Sequence, residues 1–486
     1  MLRQLFGHAA LYTAGSLAAR MIGLGTILVL SRHLSPAEFG LLDLANAAAV
    51  LLNLALCLEV SQGLGRRFAD GGPADTLTRY TSTAFIFSLL MALGCTASIL
   101  LFPLPWAALV FADGGRVAEM RAAALVVLGT ILVYGLTRQA RWELRPRLAV
   151  SMQLVQGGVA LVLSAAAVIG FGLGVSAVLL AQAVAAGFAA MLGLVGLRHS
   201  LRLGVSLAAL KEMLGFSLPL VPAGAAVLVI TYADRYCLRY FGGLDYVGAY
   251  AVAMRIGNVI LLVVIGVQTA FLPLMVKQVD RPGATQAIAD AFRFIALLAL
   301  GGVLALGLFA PEITSLIAGP RFAGSAGLVP WLAAGTLFAE LYVFAPGLFL
   351  KRRTLWLLGI NLVAATLNIL LNLLLIPHLG PLGSALALVA STGLSFAATM
   401  VLSQRLLPVP IDWLRLGMAA GFAVAVLVAG ALWPGFAIRA GLLPVAGLAL
   451  LALLVKPAER RAWLGLLVAR FRRARPPYGR RARTSR

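Results

Sequence analysis

The chain has 486 residues, of which 61% are hydrophobic and 12% charged, with a mean hydropathy of +0.98 and a net charge of +22. A soluble protein carries about twice that share of charged residues, so the composition excludes a soluble globular protein. Apolar runs of about 20 residues recur along the chain, and each is long enough to cross a bilayer as a helix. The sequence therefore predicts an all-α polytopic membrane protein.

About fourteen apolar segments have the length of a transmembrane helix. They are residues 8–32, 41–64, 80–103, 121–137, 148–170, 174–197, 213–238, 247–271, 288–310, 327–350, 354–377, 382–404, 416–433 and 440–455. Most of the 39 Lys and Arg residues fall on alternate connections between these segments and at the two ends of the chain. The positive-inside rule then places those connections and both termini in the cytoplasm. The basic residues thus indicate topology, and we expect no nucleic-acid partner.

The first two segments carry polar side chains. The first is about 25 residues long and lacks a small-residue cleavage site, so we expect it to remain as a helix rather than to be cleaved as a signal peptide. It contains Arg20 close to mid-membrane. In the second segment, Asn46 and Asn53 are seven residues apart and share a helical face, while Glu59 lies nearer the cytoplasmic end.

Polar and ionisable side chains recur in the later segments. They are Asp234 and Arg235 in the seventh, Arg255 and Asn258 in the eighth, Glu340 in the tenth, and Asn368 and Asn372 in the eleventh. The two asparagines of the eleventh segment are four residues apart and therefore lie on one helical face. Amides deep in an apolar helix are costly unless that face meets protein or water, so this helix is expected to pack inward.

An unchanged offset of 208 residues relates turns in the two halves of the chain. It pairs Gly40 with Gly248, Arg145 with Arg353, and Gly172 with Gly380. Such internal similarity predicts two homologous, pseudo-symmetric six-helix bundles, residues 1–205 and 206–410. Residues 411–455 then supply two additional transmembrane helices. Residues 456–486 form a basic cytoplasmic tail, which either contacts anionic lipid headgroups or is a solvated segment that only sets topology.

The sequence offers no arrangement for catalysis. Every predicted outer connection is short and leaves no room for an active-site domain, and no Gly-rich loop is followed by Lys-Ser/Thr as nucleotide binding requires. The three cysteines are isolated and show no metal-binding spacing. We therefore expect neither an enzyme nor a bound cofactor or metal.

Ionisable residues inside membrane helices are costly in lipid and usually face a cavity or one another. In one interpretation, Arg20, Arg235 and Arg255 line a cationic cavity between the halves and bind an anionic headgroup such as a diphosphate. In the alternative, Asp234 pairs with one of the latter two arginines and leaves no net site. Glu59 and Glu340 are either proton or cation sites or interhelical ties, and together with Asp234 they are the candidates for ion coupling.

The asparagines admit two interpretations as well. They are Asn46, Asn53, Asn258, Asn368 and Asn372. Their amides could hydrogen-bond sugar hydroxyls in the cavity, or they could join neighbouring helices. The sequence does not distinguish these roles.

Several short motifs, in order, cover most of residues 1–404. They are Gly23 to Arg32 followed by Leu34-Ser35-Pro36-Ala37-Glu38-Phe39-Gly40, then Arg66, Phe216-Ser217-Leu218-Pro219, Asp234-Arg235, Val247-Gly248-Ala249-Tyr250, and Asn368, Asn372, Ile376-Pro377, Gly380 and Gly383-Ser384-Ala385. With these motifs the sequence resembles the polysaccharide-export and oligosaccharide flippase branch of the multidrug/oligosaccharidyl-lipid/polysaccharide transporter superfamily.

The resemblance implies a flippase that moves a lipid-linked oligosaccharide across the bacterial inner membrane by alternating access. It also implies two six-helix bundles facing a central cavity with basic residues, and partners among membrane lipids and other polysaccharide-assembly proteins. Two related functions are alternatives. A proton- or sodium-coupled multidrug cation antiporter would use acidic groups in its cavity, which the intramembrane arginines disfavour. A peptidoglycan-precursor flippase would also fit a basic cavity.

Overall fold

A computed structural model of the protein describes residues 2–202, 204–262, 264, 283–350, 354–433 and 435–455. The predicted basic tail, residues 456–486, and the cytoplasmic end of the predicted segment 247–271 lie outside the described residues. Helices make up nearly all of the described chain. They are α1 (Leu2–His33), α2 (Pro36–Cys57), α3 (Val60–Asp70), α4 (Ala74–Leu101), α5 (Pro103–Phe111), α6 (Val117–Trp142), α7 (Pro146–Ala165), α8 (Val175–Leu197), α9 (Leu207–Ser217), α10 (Val221–Gly257), α11 (Ala284–Leu308), α12 (Ala310–Ala318), α13 (Val329–Glu340), α14 (Pro346–Leu350), α15 (Thr354–Leu379), α16 (Pro381–Leu406), α17 (Trp413–Leu432) and α18 (Phe436–Leu454).

Thirteen helical stretches of the described chain are long and apolar enough to cross a membrane. One of them, Leu207–Ile260, contains two of the predicted segments. The two segments are separated at Gly243, whose dihedral angles are not helical (φ 77°, ψ −170°) and interrupt α10. We call the two parts α10a (residues 221–242) and α10b (residues 244–257). Each predicted segment thus corresponds to a helical stretch, and the all-α polytopic fold is confirmed.

The predicted segment 41–64 is not a single helix, and segments 213–238 and 327–350 also each contain parts of two helices. The helix α2 ends at Cys57 and α3 begins at Val60, because Leu58 and Glu59 between them adopt left-handed dihedral angles (φ 47° and 53°). Such angles interrupt the helical hydrogen-bond pattern, and apolar composition alone does not reveal them. The start of α2 follows from its sequence, since Ser35 and Glu38 form a reciprocal capping box.

The helices pack into two compact units. The first comprises the described residues within 1–277 and 309–408. In it α2 packs along α10, α6 packs against α4 and α8, and α16 packs against α13 and α15. The second comprises the described residues within 278–308 and 409–486, where α11 packs against α17 and α18.

A buried arginine joins two helices of the second unit. Arg439 of α18 donates a hydrogen bond from its guanidinium to the carbonyl oxygen of Leu308, the last residue of α11, at 3.1 Å. A cation at a helix C-terminus is favourable, because the last carbonyls have no intrahelical partner. In α17, Gly430 lies so close to the Leu308 side chain that a Cβ there would approach it to 2.5 Å. Glycine at position 430 therefore allows α17 to approach α11 closely.

Two glycines end helices at corresponding turns of the first unit. Gly172 lies between α7 and α8, Gly380 lies between α15 and α16, and both have positive φ (62° and 57°). They are the pair related by the offset of 208 residues. A side chain in this region of φ/ψ space is disfavoured, so glycine is the natural choice at both turns.

Replacing Gly380 by valine should destabilise the protein by about 1–2 kcal/mol, because a β-branched side chain is strained at positive φ. A Cβ at this position would also lie 3.3 Å from the Tyr246 ring. The yield of monodisperse protein and its thermal unfolding midpoint would measure the effect. Gly359→Val is the matched control, since no atom lies within 4 Å of a Cβ built there. Equal losses in both variants would contradict the argument.

The beginnings of α2 and α10b cross with their backbones in contact. A Cβ on Gly40 would collide with the carbonyl oxygen of Leu244, and a Cβ on Gly248 would collide with the carbonyl oxygen of Pro36. Pro36 and Gly40 stand 208 residues before Leu244 and Gly248. The contact of Gly40 with Leu244 therefore has an equivalent in the contact of Gly248 with Pro36. Only glycine permits this approach on either side.

Two arginines also join helices of the two halves. Arg32, near the end of α1, donates to the carbonyl oxygen of Leu316 in the last turn of α12 at 2.8 Å. Arg239 of α10a donates to the carbonyl oxygen of Phe111, the last residue of α5, at 2.8 Å. Both satisfy helix C-terminal carbonyls with a cation. We refer to these two hydrogen bonds and the glycine crossing together as the outer contacts, because all lie at the predicted outer ends of their helices.

Candidate functional site

A cavity of about 700 Å³ opens in the first unit between α1, α2, α6, α7, α8 and α10b. Its polar lining residues are Ser16, Arg20, Thr26, Asn46, Thr130, Gln153, Gln156, Gln182, Arg255 and Asn258. Among the described residues that line it, two are cationic and none is acidic. The volume lies within the range of small-molecule binding sites. The arrangement suits a ligand with a negative charge and several hydrogen-bonding groups.

Arg20 occupies the α1 side of this cavity. Its guanidinium donates to the backbone carbonyl of Asn258 at 3.5 Å, a long contact across to the end of α10. Glu340, at the end of α13, interacts electrostatically with Arg20 but does not line the cavity. The Arg20 side chain is half-buried. The guanidinium of Arg20 is therefore part of the cavity lining, whereas the carboxylate of Glu340 is not.

Arg255 provides the second positive charge. It projects from α10b, with one guanidinium nitrogen 3.2 Å from Oδ1 of Asp43 and its centre 4.8 Å from the centroid of the Phe39 ring. Its side chain is 28% exposed, against 13% for Asp43. The ion pair and the ring contact hold the guanidinium in place, and Arg255 still lines the cavity.

Behind Arg255 lies a network of buried charges. Arg235 is bound by two carboxylates, at 3.2 Å from Asp43 and 2.7 Å from Asp234, and it also donates to the carbonyl of Thr231. The hydroxyl of Tyr250 donates to the second oxygen of Asp234. Asp43 thus bridges Arg235 and Arg255, and this connects α2 with both parts of α10. Two carboxylates balance two guanidinium groups, so the network as a whole is neutral.

The structure separates the sequence candidates into groups. Arg255 meets the cavity, whereas Arg235 is buried in the ion-pair network and does not line it. Asp234 is paired with Arg235, one of the two arginines considered as its partner above. Asp43 was not among the candidates, although it was readable as a carboxylate within an apolar segment. It lies three residues before Asn46 and therefore on the same helical face.

Two of the five asparagines line the cavity. The amide of Asn46 donates to the carbonyl of Leu42 at 2.9 Å, and the side-chain oxygen of Asn258 accepts from Thr336 at 3.1 Å. Each is half-buried and keeps part of its amide available to the cavity. Asn53 instead lines a separate small cavity together with Glu59.

The other two asparagines join α15 to α16. Asn368 donates to the hydroxyl of Ser391 at 3.0 Å, and Asn372 accepts from Ser384 at 2.7 Å and donates back to Asn368. All four side chains are buried, and none of the four lines the cavity of about 700 Å³. The inward packing of this helical face was readable from the sequence, whereas the identity of its partners was not.

Comparison with known proteins bears on this architecture. Residues 7–279 match the family described as polysaccharide biosynthesis protein, which is more than half of the chain. The chain belongs to this family. The family match confirms the resemblance found in the sequence motifs. A comparison with curated protein sequences gave no match.

Solved structures with the same fold are membrane transporters. The lipid II flippase MurJ, in an inward closed conformation, aligns with a TM-score of 0.64 and 12% identity, over 91% of this chain and 98% of MurJ. An inward-facing multidrug resistance MATE family transporter of the MOP superfamily aligns with a TM-score of 0.63 and 16% identity, over 80% of this chain and 94% of that one.

A third structure is a MOP superfamily transporter from Pyrococcus furiosus, whose binding pocket is described as having reverse polarity that suggests a different function. It aligns with a TM-score of 0.56 and 16% identity, over 83% of this chain and 95% of that one. At these identities the similarity concerns the fold. This member of the polysaccharide biosynthesis protein family therefore shares its fold with these three proteins.

Proposed function

We propose that this protein is a flippase that moves a polyprenyl diphosphate-linked oligosaccharide across the bacterial inner membrane for cell-surface polysaccharide synthesis. The observation that carries the proposal is the cavity, which presents Arg20 and Arg255 and no acidic side chain among its described lining residues. Arginine binds phosphate oxygens through two parallel, charge-assisted hydrogen bonds, and the effect is stronger where water is partly excluded.

The remaining lining residues suit a sugar. Gln153, Gln156, Gln182 and Asn46 bring uncharged donors and acceptors into the same space as the arginines. Amide groups hydrogen-bond hydroxyls without adding charge, and their number allows several orientations of the ligand. The cavity thus offers a charged region for a diphosphate and a neutral polar region for a glycan, in support of a glycolipid substrate.

Alternating access is supported by the outer contacts. We propose that residues 1–205 and 206–410 are the two moving halves, with both termini in the cytoplasm. Arg32 and Arg239 each reach from one half to a helix C-terminus of the other, and the two glycines cross between the halves. These contacts hold the two proposed halves together at their predicted outer ends, as expected of a state that is closed on the outer side.

The proposed activity is testable with the purified protein alone in liposomes. A lipid-linked oligosaccharide with a polyprenyl diphosphate carrier should appear in the opposite leaflet without ATP, and liposomes lacking the protein should show only slow exchange. No glycolipid movement, together with uptake of organic cations driven by a proton or sodium gradient, would favour the antiporter. Faster movement of a peptidoglycan precursor than of the oligosaccharide would reassign the substrate.

A further inference from the structure

The break between α2 and α3 is unusual because two consecutive residues other than glycine are left-handed. Leu58 has φ 47° and ψ 37°, and Glu59 has φ 53° and ψ 28°. This conformation is uncommon for such residues and costs free energy, so it persists only where the surroundings enforce it. It turns the chain directly after the C-terminus of α2, where the helix dipole is negative and the last carbonyls have no partner within the helix.

A small cavity lies at this break, separate from the larger cavity of the candidate site. Its volume is about 20 Å³, and it is enclosed by residues of α2, α3, α4 and α6. Three oxygens of its lining residues are buried and have no hydrogen-bond partner in the described part of the chain, namely Asn53 Oδ1, Glu59 Oε2 and Ser61 Oγ. Asn53 is only 8% exposed and Ser61 only 9%. Leaving buried oxygens unpaired is unfavourable, so the cavity calls for an occupant that they can bind.

We propose that this cavity binds a single monovalent cation of the size of sodium. The space accommodates about one water-sized sphere, which excludes a larger ligand. Its donor set is one carboxylate with neutral amide and hydroxyl oxygens, and hard cations take oxygen ligands of this kind. One negative charge balances a monovalent ion, whereas protein sites for divalent ions usually supply more than one carboxylate. The negative end of α2 adds a favourable dipole.

The site also touches the second half of the chain. A Cβ built on Gly224 of α10a would lie 3.7 Å from Glu59 Oε1 and 3.3 Å from a side-chain carbon of Leu54. The helix α10a therefore covers one side of the carboxylate. A bound ion would hold Glu59 and the α2 break in place beneath α10a, so its occupancy affects how closely the two halves approach. The proposal goes beyond lipid transport and does not depend on which lipid is moved.

Binding of radioactive sodium to the purified full-length protein in detergent tests the proposal, with choline chloride keeping the ionic strength constant. The parent protein should bind one sodium ion saturably, and Glu59→Gln should lose this binding. Ser61→Ala removes one neutral ligand from a small, well-tolerated position and should weaken the affinity by at least roughly tenfold. Glu119→Gln, at the predicted outer end of α6, is the matched control and should bind like the parent.

Two outcomes would overturn the proposal. The first is the absence of saturable binding by the parent protein, which would mean that the cavity holds water only. The second is an unchanged affinity for sodium in Ser61→Ala and also in Glu59→Gln. The Glu59→Gln result counts only if that variant is monodisperse. Because the readout is ion binding, failure of glycolipid movement in the liposome assay leaves the result unaffected, and the two proposals can fail separately.

Discussion

Arg20→Ala should reduce glycolipid translocation at least roughly tenfold while the protein remains in the membrane at its normal level. A hydrogen bond to a charged group contributes about 1.5–3 kcal/mol, and a guanidinium that grips a diphosphate makes two of them. Arg20 lines the cavity, its hydrogen bond to the Asn258 carbonyl is long at 3.5 Å, and Glu340 interacts with it from outside the lining. The variant should therefore lose mainly the proposed headgroup contacts, and the membrane level of the protein checks for any loss of stability.

Two further variants sharpen this test. Arg20→Lys keeps the charge but loses the forked geometry, so its rate should lie between those of the parent and Arg20→Ala. Arg121→Ala removes an exposed arginine at the predicted outer end of α6 and should translocate like the parent. Translocation at the parent rate in Arg20→Ala would show that this residue does not bind the headgroup. Equal losses in Arg20→Ala and Arg121→Ala would indicate a nonspecific effect of charge.

Asp43→Ala should lower the free energy of unfolding by about 3 kcal/mol, the lower end of the range for breaking a buried ion pair by removing one partner. Asp43 holds both Arg235 and Arg255, at 3.2 Å each. Without it Arg255 loses its ion pair, and Arg235 loses one of its two carboxylate partners. The loss would appear as a lower thermal unfolding midpoint of the purified protein in detergent.

The chain contains a matched exposed pair for this experiment. Asp70 lies 3.8 Å from Arg66, and more than half of each side chain is exposed. Exposed pairs contribute about 0–1 kcal/mol, so Asp70→Ala should hardly move the midpoint. A midpoint for Asp43→Ala that equals that of Asp70→Ala would contradict the bridging role. The double variant Asp43→Ala with Arg255→Met should recover part of the stability, because it removes the charge left without a partner.

The transmembrane helices were predictable from the sequence, since an apolar run of sufficient length has few alternatives in a bilayer. The breaks within them were less readable. Gly243 marks a turn that its composition suggested, whereas Leu58 and Glu59 adopt their left-handed angles for reasons of tertiary packing that propensity does not encode. The predicted segment 41–64 therefore merged two helices.

The candidate site was predictable in part. Intramembrane arginines are rare enough to draw attention, and Arg20 and Arg255 do line the cavity. Sequence periodicity shows which residues share a face but does not show what that face meets. For this reason it could not place Arg235 among carboxylates or Asn368 against Ser391. Asp43 lies near the predicted outer end of its segment, where a charge attracts less notice.

The reciprocal glycine crossing has a consequence for assembly. Gly40 meets the backbone of Leu244, and Gly248 meets the backbone of Pro36, which stands 208 residues before Leu244. In a two-fold, isologous interface, each contact occurs twice, with the roles of the two partners exchanged. Such a surface is complementary to itself. A chain of half the length could therefore close its outer side by pairing with an identical copy, as a homodimer does, without the covalent connection through α9.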